Sequence, residues 1–451
     1  MDKVRQETGG AGQPLVKHIG AGSVVHNFLW SQTTYILTIV TGVLIARVLG
    51  PHQRGLLAAA ILWPALVANV GLLGIPMAMG LAVRRDPSGL KDACGEAFGT
   101  ALWLGLAECV LFAAIMPFIV PSAAAEVTWW SVLYLAIIPL SHAGWVAGST
   151  LKSMGWYSWA GFLAFMNTGG YCLALAVFWM TGLMCFQMVI VSLLVGIAIS
   201  ATAAIAFVWV RVRPRHPGWS SGLLRQGLPF AMEQAAYIGG AQVTQLLILM
   251  VMDPAALGRY VIALSYAGVG MTLANAMGEV LFYKFAERSE DGDGRGEIES
   301  AFRLSMLSQW IPFACLASVA CFVIPLLFGA GYVESVWPAV VLAAAGVVKA
   351  QTNIFVAALR ARGMAIKSGG LGMVSVMILC VTLPPLMLRM GLTGCAVAVA
   401  VANVFEHLAF LWYCRLRLGL DPAGLYGVGR GDVATLLRRF AAAANFWTRR
   451  V

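Results

Sequence analysis

The sequence predicts an all-α polytopic membrane protein with twelve transmembrane helices in two pseudo-symmetric six-helix lobes. The first observation behind this class is composition, since 60% of the 451 residues are hydrophobic and only 11% are charged. A soluble protein of this length cannot bury so much apolar surface, so a lipid bilayer is the expected solvent. The second observation is the number of long apolar stretches. The third is a set of landmarks that recurs in the second half of the chain.

Each predicted span is a stretch of about 20 mostly apolar residues, the length that crosses a bilayer as a helix. In chain order the predicted spans are residues 24–49, 56–81, 97–120, 129–150, 157–180, 185–210, 228–252, 257–282, 303–328, 335–359, 366–388 and 392–414. They leave only short loops on the outer side of the membrane.

The distribution of lysine and arginine predicts the orientation of the spans. Of the 30 Lys and Arg residues, 25 fall in segments on the side that holds both termini. The opposite side carries Arg47, Arg54, Arg259 and Arg389, and Lys349 lies within the tenth span. Because positive residues are retained in the cytoplasm, both termini are predicted to be cytoplasmic. The net charge of +10 then reflects topology and attraction to anionic membrane lipids, and no nucleic-acid partner is predicted.

The two halves of the chain carry similar landmarks in the same order. The pairs are Pro51 and Gly55 with Pro254 and Gly258, Leu151–Gly155 with Leu359–Gly363, and Gly182-Leu183 with Gly391-Leu392. A shared order at a nearly constant offset indicates an internal repeat. Since each half has an even number of spans, the copies are predicted to be parallel and related by an axis along the membrane normal.

The domain boundaries follow from this repeat and from one polar interruption. Residues 211–219 combine proline, glycine and positive charge, which is typical of a linker. The predicted domains are a cytoplasmic N-terminal tail (1–22), an N-terminal six-helix lobe (23–210), a cytoplasmic linker (211–226), a C-terminal six-helix lobe (227–416) and a basic cytoplasmic tail (417–451). The first tail lacks the apolar core of a signal peptide. The last is partly amphipathic, and we expect a short helix on the inner leaflet.

The sequence predicts no metal site, no cofactor and no catalytic centre. Its nine cysteines are scattered singly, without a Cys-x-x-Cys motif. The stretch Asp291–Gly296 begins like a calcium loop, but Arg295 and Phe302 stand where that loop needs oxygen ligands. Since no Ser/His/Asp or Cys/His arrangement is supported either, an enzyme is not expected.

The stretch from Ala46 to Gly55, Ala-Arg-Val-Leu-Gly-Pro-x-x-Arg-Gly, is followed by an alanine-rich helix. It resembles the start of polysaccharide flippases, the Wzx-type exporters of O-antigen and exopolysaccharide. These belong to the multidrug/oligosaccharidyl-lipid/polysaccharide (MOP) exporter superfamily. The Leu-Lys-x-x-Gly and Leu-Arg-x-x-Gly ends of the fourth and tenth spans fit the same pattern, as do the twelve spans and the basic middle loop. The resemblance covers essentially the whole chain.

This resemblance implies a MOP/MATE-like fold, in which two six-helix lobes rock between inward-open and outward-open shapes. Spans one, two, seven and eight would line the cleft. The implied cargo is a sugar chain on a polyprenyl pyrophosphate, moved across the bacterial inner membrane from the inner to the outer leaflet. Polysaccharide polymerase machinery is a further implied partner.

The candidate cargo-binding residues carry charges or amides that suit a pyrophosphate or a sugar. Lys349 is the strongest, because a charge near the middle of a span usually faces a cavity. Contact with the cargo and a structural pair with a buried carboxylate both remain open for it. The outer arginines either snorkel to headgroups or line the mouth of the cleft, and the glutamines suit sugar contact or helix packing. The full set is Lys349, Asn353, Arg47, Arg54, Arg259, Asn69, Gln234, Gln242, Gln245 and Asn275.

Four carboxylates in or near spans are candidates for coupling transport to protons or sodium, because a carboxylate in that environment should be protonated or ion-paired. In order of preference they are Glu279, Glu233, Glu406 and Glu108. Glu233 also suits a merely interfacial position. Glu406 beside His407 suits either a proton relay or a hydrogen bond between helices. His142 is interpreted as structural.

The predicted function is a flippase that works by alternating access on a polyprenyl-pyrophosphate-linked oligosaccharide. One alternative is a cation-coupled multidrug or metabolite antiporter of the same superfamily, although the first span lacks the acidic residue that such exporters often carry. Another is a membrane polysaccharide polymerase or glycosyltransferase. That class needs a catalytic domain or a large outer loop, and the predicted spans leave room for neither.

Overall fold

A computed structural model describes residues 8–9, 13–14, 21–120, 122–269, 295–427 and 429 of the chain. Almost all of these residues are helical. Near the N-terminus, β1 (Thr8–Gly9) pairs with β2 (Gln13–Pro14) in an antiparallel register that sets Thr8 opposite Pro14. The predicted helix of the C-terminal tail, most of the N-terminal tail and the second half of the eighth predicted span lie outside the described residues.

Thirteen helices are described, together with three short 3₁₀ segments at Pro87–Gly89, Ser122–Val127 and Ala330–Ser335. The helices are α1 (Ala21–Gly71), α2 (Ile75–Arg85), α3 (Leu90–Ile119), α4 (Thr128–Leu135), α5 (Ile138–Ser153), α6 (Tyr157–Met180), α7 (Phe186–Arg211), α8 (Ser221–Val251), α9 (254–269), α10 (Arg295–Phe328), α11 (Val336–Ala361), α12 (Ala365–Leu418) and α13 (Pro422–Tyr426).

Seven of the described helical segments are long and apolar enough to cross a membrane, and nine if each of two bent pairs forms one span. The longest helices, α1 and α12, each contain one residue with non-helical backbone angles. These residues are Gly50, with φ of 69°, and Gly391, with φ of 59°. Glycine tolerates positive φ and can therefore interrupt a helix. Both breaks fall between two consecutive predicted spans. The multi-pass helical class is thus confirmed, while the total of twelve spans stays a prediction.

Two landmarks of the repeat adopt the same local geometry. After α5, Gly155 has φ of 79° and its amide donates to the Lys152 carbonyl at 3.1 Å. After α11, Gly363 has φ of 72° and donates to Arg360 at 3.0 Å. In both copies the next amide donates to the leucine carbonyl five residues earlier, at 2.9 Å. This pair of bonds defines a Schellman cap, so the Leu-x-x-x-Gly ends are matched helix stops.

The chain forms two compact units, residues 1–258 and 259–451. The core of the first forms where α2, α3, α5 and α7 pack, around Met79, Phe98, Val146 and Val208. The core of the second contains Phe302 and Phe355, whose rings stack with centroids 5.2 Å apart. The division falls later than the predicted linker because α8 packs on α1 and α2. The predicted lobe boundaries themselves stay a prediction.

The predicted linker is fixed to α3 in this structure. The Arg215 amide donates to the Lys91 carbonyl at 3.0 Å, and the Ser220 amide donates to the Thr100 hydroxyl at 2.9 Å. The Ser220 hydroxyl in turn accepts from the Leu223 amide at 3.3 Å and caps α8. Thus α8 begins at a position set by α3.

Candidate functional site

The strongest polar contact in the second unit joins the middle of α11 to the second segment of α12. The ammonium of Lys349 donates to both carboxylate oxygens of Glu406, at 2.7 and 2.6 Å. The side chain of Lys349 is 16% exposed and that of Glu406 only 3%. Two opposite charges within an apolar span compensate each other, which offsets part of the cost of removing them from water. The structure therefore shows the carboxylate partner that one interpretation of Lys349 required.

Neighbouring residues extend this contact into a polar seam, defined here by Lys349 and Thr352 of α11 with Asn403, Glu406 and His407 of α12. The amide of Asn403 donates to the Ala345 carbonyl at 3.2 Å. Thr352 and His407 are in contact at 3.0 Å. The spacing of three and four residues on each helix places these groups on one face. The polar face of α11 thus meets the polar face of α12.

The hydrogen bonds of His407 fit a neutral ring. The Thr352 hydroxyl donates to the Val348 carbonyl at 3.1 Å, so it accepts from Nδ1–H of His407. The other ring nitrogen, Nε2, lies 2.6 Å from the Tyr426 hydroxyl, which can donate to it when the ring is protonated at Nδ1 alone. One donor and one acceptor is the capacity of neutral imidazole. In this geometry His407 links α11, α12 and α13, and its ring contacts are separate from the Lys349–Glu406 pair.

A second polar contact lies in the first unit and joins α3 to α5. Nε2 of His142 is 3.6 Å from Oε2 of Glu108. His142 is fully buried, and its ring nitrogens lie 3.0 Å from the Ala68 carbonyl and 3.4 Å from the Ala101 carbonyl. The oxygen Oε2 of Glu108 is buried and makes no hydrogen bond within the described part of the chain. This contact joins Glu108 of the third predicted span to His142 of the fourth.

Arg259 is held at the start of α9 by the segment that precedes α11. Its Nη1 is 3.1 Å from Glu334, and its Nε donates to the Gly331 carbonyl at 3.3 Å. The Ser335 hydroxyl donates back to the Arg259 carbonyl at 2.8 Å. Glu334 is 68% exposed, so the ion pair is mostly solvated. Arg259 therefore ties two segments together.

The remaining candidates occupy varied environments. Arg47 and Gln234 are exposed, while Arg54, Asn353 and Gln245 are half-buried. Asn69 donates to the Ala65 carbonyl of its own helix at 2.7 Å. The oxygen Oε1 of Gln242 is buried and has no hydrogen-bond partner among the described residues. Asn275 and Glu279 lie outside the described residues, as does the side chain of Glu233. The roles of all these residues stay predictions.

Sequence reasoning missed two of these pairings. The sequence leaves a carboxylate partner for Lys349 open without identifying Glu406, and it does not pair His142 with Glu108. The usable signal was charge balance, because a lone carboxylate in one span requires a partner from another. Tyr426 gave no such signal, since a tyrosine near the end of the last span is common at a membrane interface.

The sequence also matches a known protein family. Residues 44–337 match the family model described as polysaccharide biosynthesis protein. This match covers well over half of the sequence. The chain belongs to this family. Comparison with curated proteins gives no match.

Solved structures share the fold of this family member over most of its length. The lipid II flippase MurJ, in an inward closed conformation, superposes with a TM-score of 0.74 at 11% identity, over 93% of each chain. An inward-facing MATE multidrug transporter of the MOP superfamily gives 0.69 at 16% identity, over 88% of this chain and 98% of that one. A MOP superfamily transporter from Pyrococcus furiosus gives 0.68 at 14%, over 92% and 99%. The predicted superfamily fold is therefore confirmed.

Proposed function

We propose that the protein is a flippase that moves a polyprenyl-pyrophosphate-linked oligosaccharide across a bacterial inner membrane by alternating access. The exported glycan would enter a cell-surface polysaccharide such as O-antigen or exopolysaccharide. The observation that carries this proposal is the conjunction of two findings. The chain belongs to a polysaccharide biosynthesis family, and its fold is shared over 93% of both chains with a lipid II flippase.

Lys349 is the proposed contact for the pyrophosphate. In the structure its charge is compensated by Glu406, which makes a cation within a span tolerable before cargo arrives. A pyrophosphate carries more negative charge than one carboxylate and accepts strong charge-assisted hydrogen bonds, so it can compete for the ammonium. The buried, unsatisfied oxygen of Gln242 is a group that a sugar hydroxyl would satisfy. Asn353, one residue beyond Thr352, is a further proposed contact.

The orientation and the partners belong to the same proposal. The 25 positive residues on one side support cytoplasmic termini and contact with anionic lipids of the inner leaflet. A polymerase acting on the outer face would use the translocated glycan. The protein itself would make and break no covalent bond, so the cargo recovered after translocation should have an unchanged mass.

The direct test uses purified full-length protein in liposomes that contain a fluorescent polyprenyl-pyrophosphate oligosaccharide. A membrane-impermeant quencher reports how much label has reached the outer leaflet. We expect protein-dependent movement of the pyrophosphate lipid and none of a lipid that lacks the sugar. Absence of movement in folded protein would contradict the proposal.

The role of Lys349 is tested with a matched pair of substitutions. Lys349→Met alone leaves Glu406 uncompensated and should destabilise the protein, so loss of transport by that variant is ambiguous. The double variant Lys349→Met/Glu406→Leu removes both charges and should recover stability. We expect the double variant to fold and yet to lose most transport. Normal transport by it would show that the pair is only structural.

The alternative is a cation-coupled multidrug or metabolite antiporter. It is favoured by one observation, the match to MATE transporters over 98% and 99% of their own chains. The same liposomes distinguish the two functions. An antiporter would move cationic dyes against an imposed ion gradient and would leave the lipid-linked sugar in place.

A further inference from the structure

We propose that Glu108 and His142 form a proton-binding site at the end of α1, beside the break between α1 and α2. The geometry of the two side chains alone supports the binding of a proton. Its use in transport rests on the proposed function. The site lies entirely within the first compact unit and is separate from the polar seam of the second.

The environment of His142 requires two donors. Each ring nitrogen faces a backbone carbonyl, that of Ala68 at 3.0 Å and that of Ala101 at 3.4 Å. Carbonyls only accept hydrogen bonds, and neutral imidazole has one N–H. Both contacts are satisfied at once only when the ring carries a second proton. His407 is the internal contrast, because its partners Thr352 and Tyr426 suit a neutral ring.

Two groups of negative polarity lie beside the ring. Ala68 belongs to the last turn of α1, which ends at Gly71. Carbonyls in a last turn lack donors within the helix and carry the negative end of the helix dipole. The Glu108 carboxylate lies 3.6 Å from Nε2 and supplies the counter-charge. In a fully buried site these groups compensate one proton on His142.

Gly71 makes room for the carboxylate. A β-carbon at this position would overlap the carboxyl group of Glu108 and would lie 2.6 Å from its Oε2 atom. That oxygen is buried and unsatisfied, so it is also positioned to take up a proton. The doubly protonated ring of His142 can therefore release a proton, and the Oε2 atom of Glu108, which makes no hydrogen bond within the described residues, can receive one.

The site sits directly at a break in the second predicted span. Residues 72–74 separate α1 from α2, and they include Leu73 with φ of 50° and Gly74 with φ of 70°. A β-carbon on Gly74 would lie 2.9 Å from Cβ of Phe230 in α8. The break is thus in contact with α8 on one side and with the titratable pair on the other. Loss of the ring proton would remove one of the two hydrogen bonds that hold α1 and α3 to α5.

Several charged groups on the packed helices lie far along their helices from the pair. At 1.5 Å per residue, Glu96, Asp92 and Lys91 of α3 are roughly 18 to 25 Å along the helix from Glu108. Lys152 of α5 is roughly 15 Å from His142, and Arg54 of α1 is roughly 21 Å from Ala68. Arg84 and Arg85 end α2, Arg211 ends α7, and Tyr134 and Tyr171 belong to α4 and α6. Cys109 adjoins Glu108 in sequence. Within the described residues, the charged group within 4 Å of His142 is Glu108.

The first test measures the proton without any cargo. The chain has six histidines, and replacing His18, His26, His52 and His216 by Asn leaves His142 and His407. Solid-state NMR of the ¹⁵N-histidine-labelled protein in lipid bilayers distinguishes a doubly protonated ring from each neutral tautomer. At neutral pH we expect one imidazolium, His142, and one ring protonated at Nδ1, His407. Two neutral rings would overturn the proposal.

A second variant tests the counter-charge. Adding Glu108→Gln keeps the size of the side chain and removes its charge, so the His142 signal should become that of a neutral ring. Glu126→Gln, at an exposed position, is the matched control and should leave the imidazolium in place. An unchanged His142 signal in the Glu108→Gln protein would exclude Glu108 as its partner.

The third measurement addresses coupling. In the liposomes described above, an imposed pH gradient should accelerate translocation by the wild type and by Glu126→Gln. The Glu108→Gln variant should lose this acceleration. A gradient response that persists in Glu108→Gln, or a response to sodium instead of protons, would overturn the coupling role. If the wild type moves no lipid-linked sugar at all, the proposed function fails, whereas the NMR result still decides whether the proton site exists.

Discussion

Gly55 and Gly258 approach each other so closely that neither position has room for a side chain. A β-carbon on Gly55 would overlap the carbonyl group of Pro254 and lie 3.1 Å from the Gly258 amide nitrogen. A β-carbon on Gly258 would lie 2.9 Å from the Gly55 amide nitrogen and would meet the Pro51 carbonyl. The relationship is reciprocal, as in an interface with two-fold symmetry. The two copies of the repeated turn therefore pack backbone against backbone.

We predict that Gly55→Ala and Gly258→Ala each destabilise the protein by about 1 to 3 kcal/mol, the usual cost of forcing extra atoms into a packed site. The control is Gly42→Ala in the same long helix, where a β-carbon would meet nothing within 4 Å. That change should be neutral or slightly stabilising. Thermal unfolding in detergent measures all three. Equal stability of Gly55→Ala and Gly42→Ala would mean that the turns do not touch.

A second prediction concerns the attachment of the linker to α3. The buried hydroxyl of Thr100 accepts from the Ser220 amide at 2.9 Å and donates to the Gly218 carbonyl at 3.4 Å. Thr100→Val should cost about 1 to 3 kcal/mol because it leaves buried backbone groups unsatisfied. Thr202→Val removes an exposed hydroxyl that bonds its own helix and should cost much less. Hydrogen exchange of the Ser220 amide should rise in the first variant only.

A third prediction separates the two interpretations of Arg259. Its ion pair with Glu334 is largely exposed, so Glu334→Gln should change stability by less than about 1 kcal/mol. If Arg259 contacts the anionic cargo, as its sequence position predicts, Arg259→Gln should reduce translocation several-fold while Glu334→Gln leaves it within about twofold of the wild type. Equal losses in both variants would assign Arg259 to positioning the segment before α11. Translocation in liposomes is the measurement.

A fourth prediction isolates the backbone requirement of the Schellman cap. A β-carbon at Gly363 or at Gly370 would meet nothing within 4 Å, but only Gly363 has positive φ, at 72°. Gly363→Ala should therefore cost about 1 to 2 kcal/mol, and Gly370→Ala should cost nothing. Gly363→Asn should be milder than Gly363→Ala, since asparagine tolerates this conformation. Unfolding midpoints that do not differ between the two alanine variants would contradict the assignment.

The fold was accessible from the sequence because its signals are local. Span lengths follow from runs of apolar residues, and Lys and Arg counts predict the orientation. The ends of the helices at Gly155 and Gly363 follow from a glycine placed where a right-handed helix must stop. The breaks at Gly50 and Gly391 have the same origin. Each of these features depends on a few neighbouring residues, so one chain without relatives suffices.

The candidate site was only partly accessible. The cost of a charge within a span identifies both Lys349 and Glu406 from the sequence. Their pairing is not predictable in this way, because they are 57 positions apart and are separated by a glycine break whose direction depends on packing. Glu108 and His142 pose the same problem across α3 and α5. Periodicity shows which face is polar but cannot show which other face it meets.

The sequence by itself determined that this chain is a multi-pass helical membrane protein, and it predicted an internal repeat and a membrane side rich in positive charge. These properties follow from the amino-acid composition and from the order of residues along the chain, so they do not require knowledge of tertiary contacts. Only the tertiary structure decided that Lys349 meets Glu406, that His142 faces two carbonyls and Glu108, and that Gly55 meets Gly258. The physical reason is that the energy of a buried charge, or of a position without a side chain, depends on the atoms within about 4 Å of it. Those atoms are brought there by helices distant in sequence.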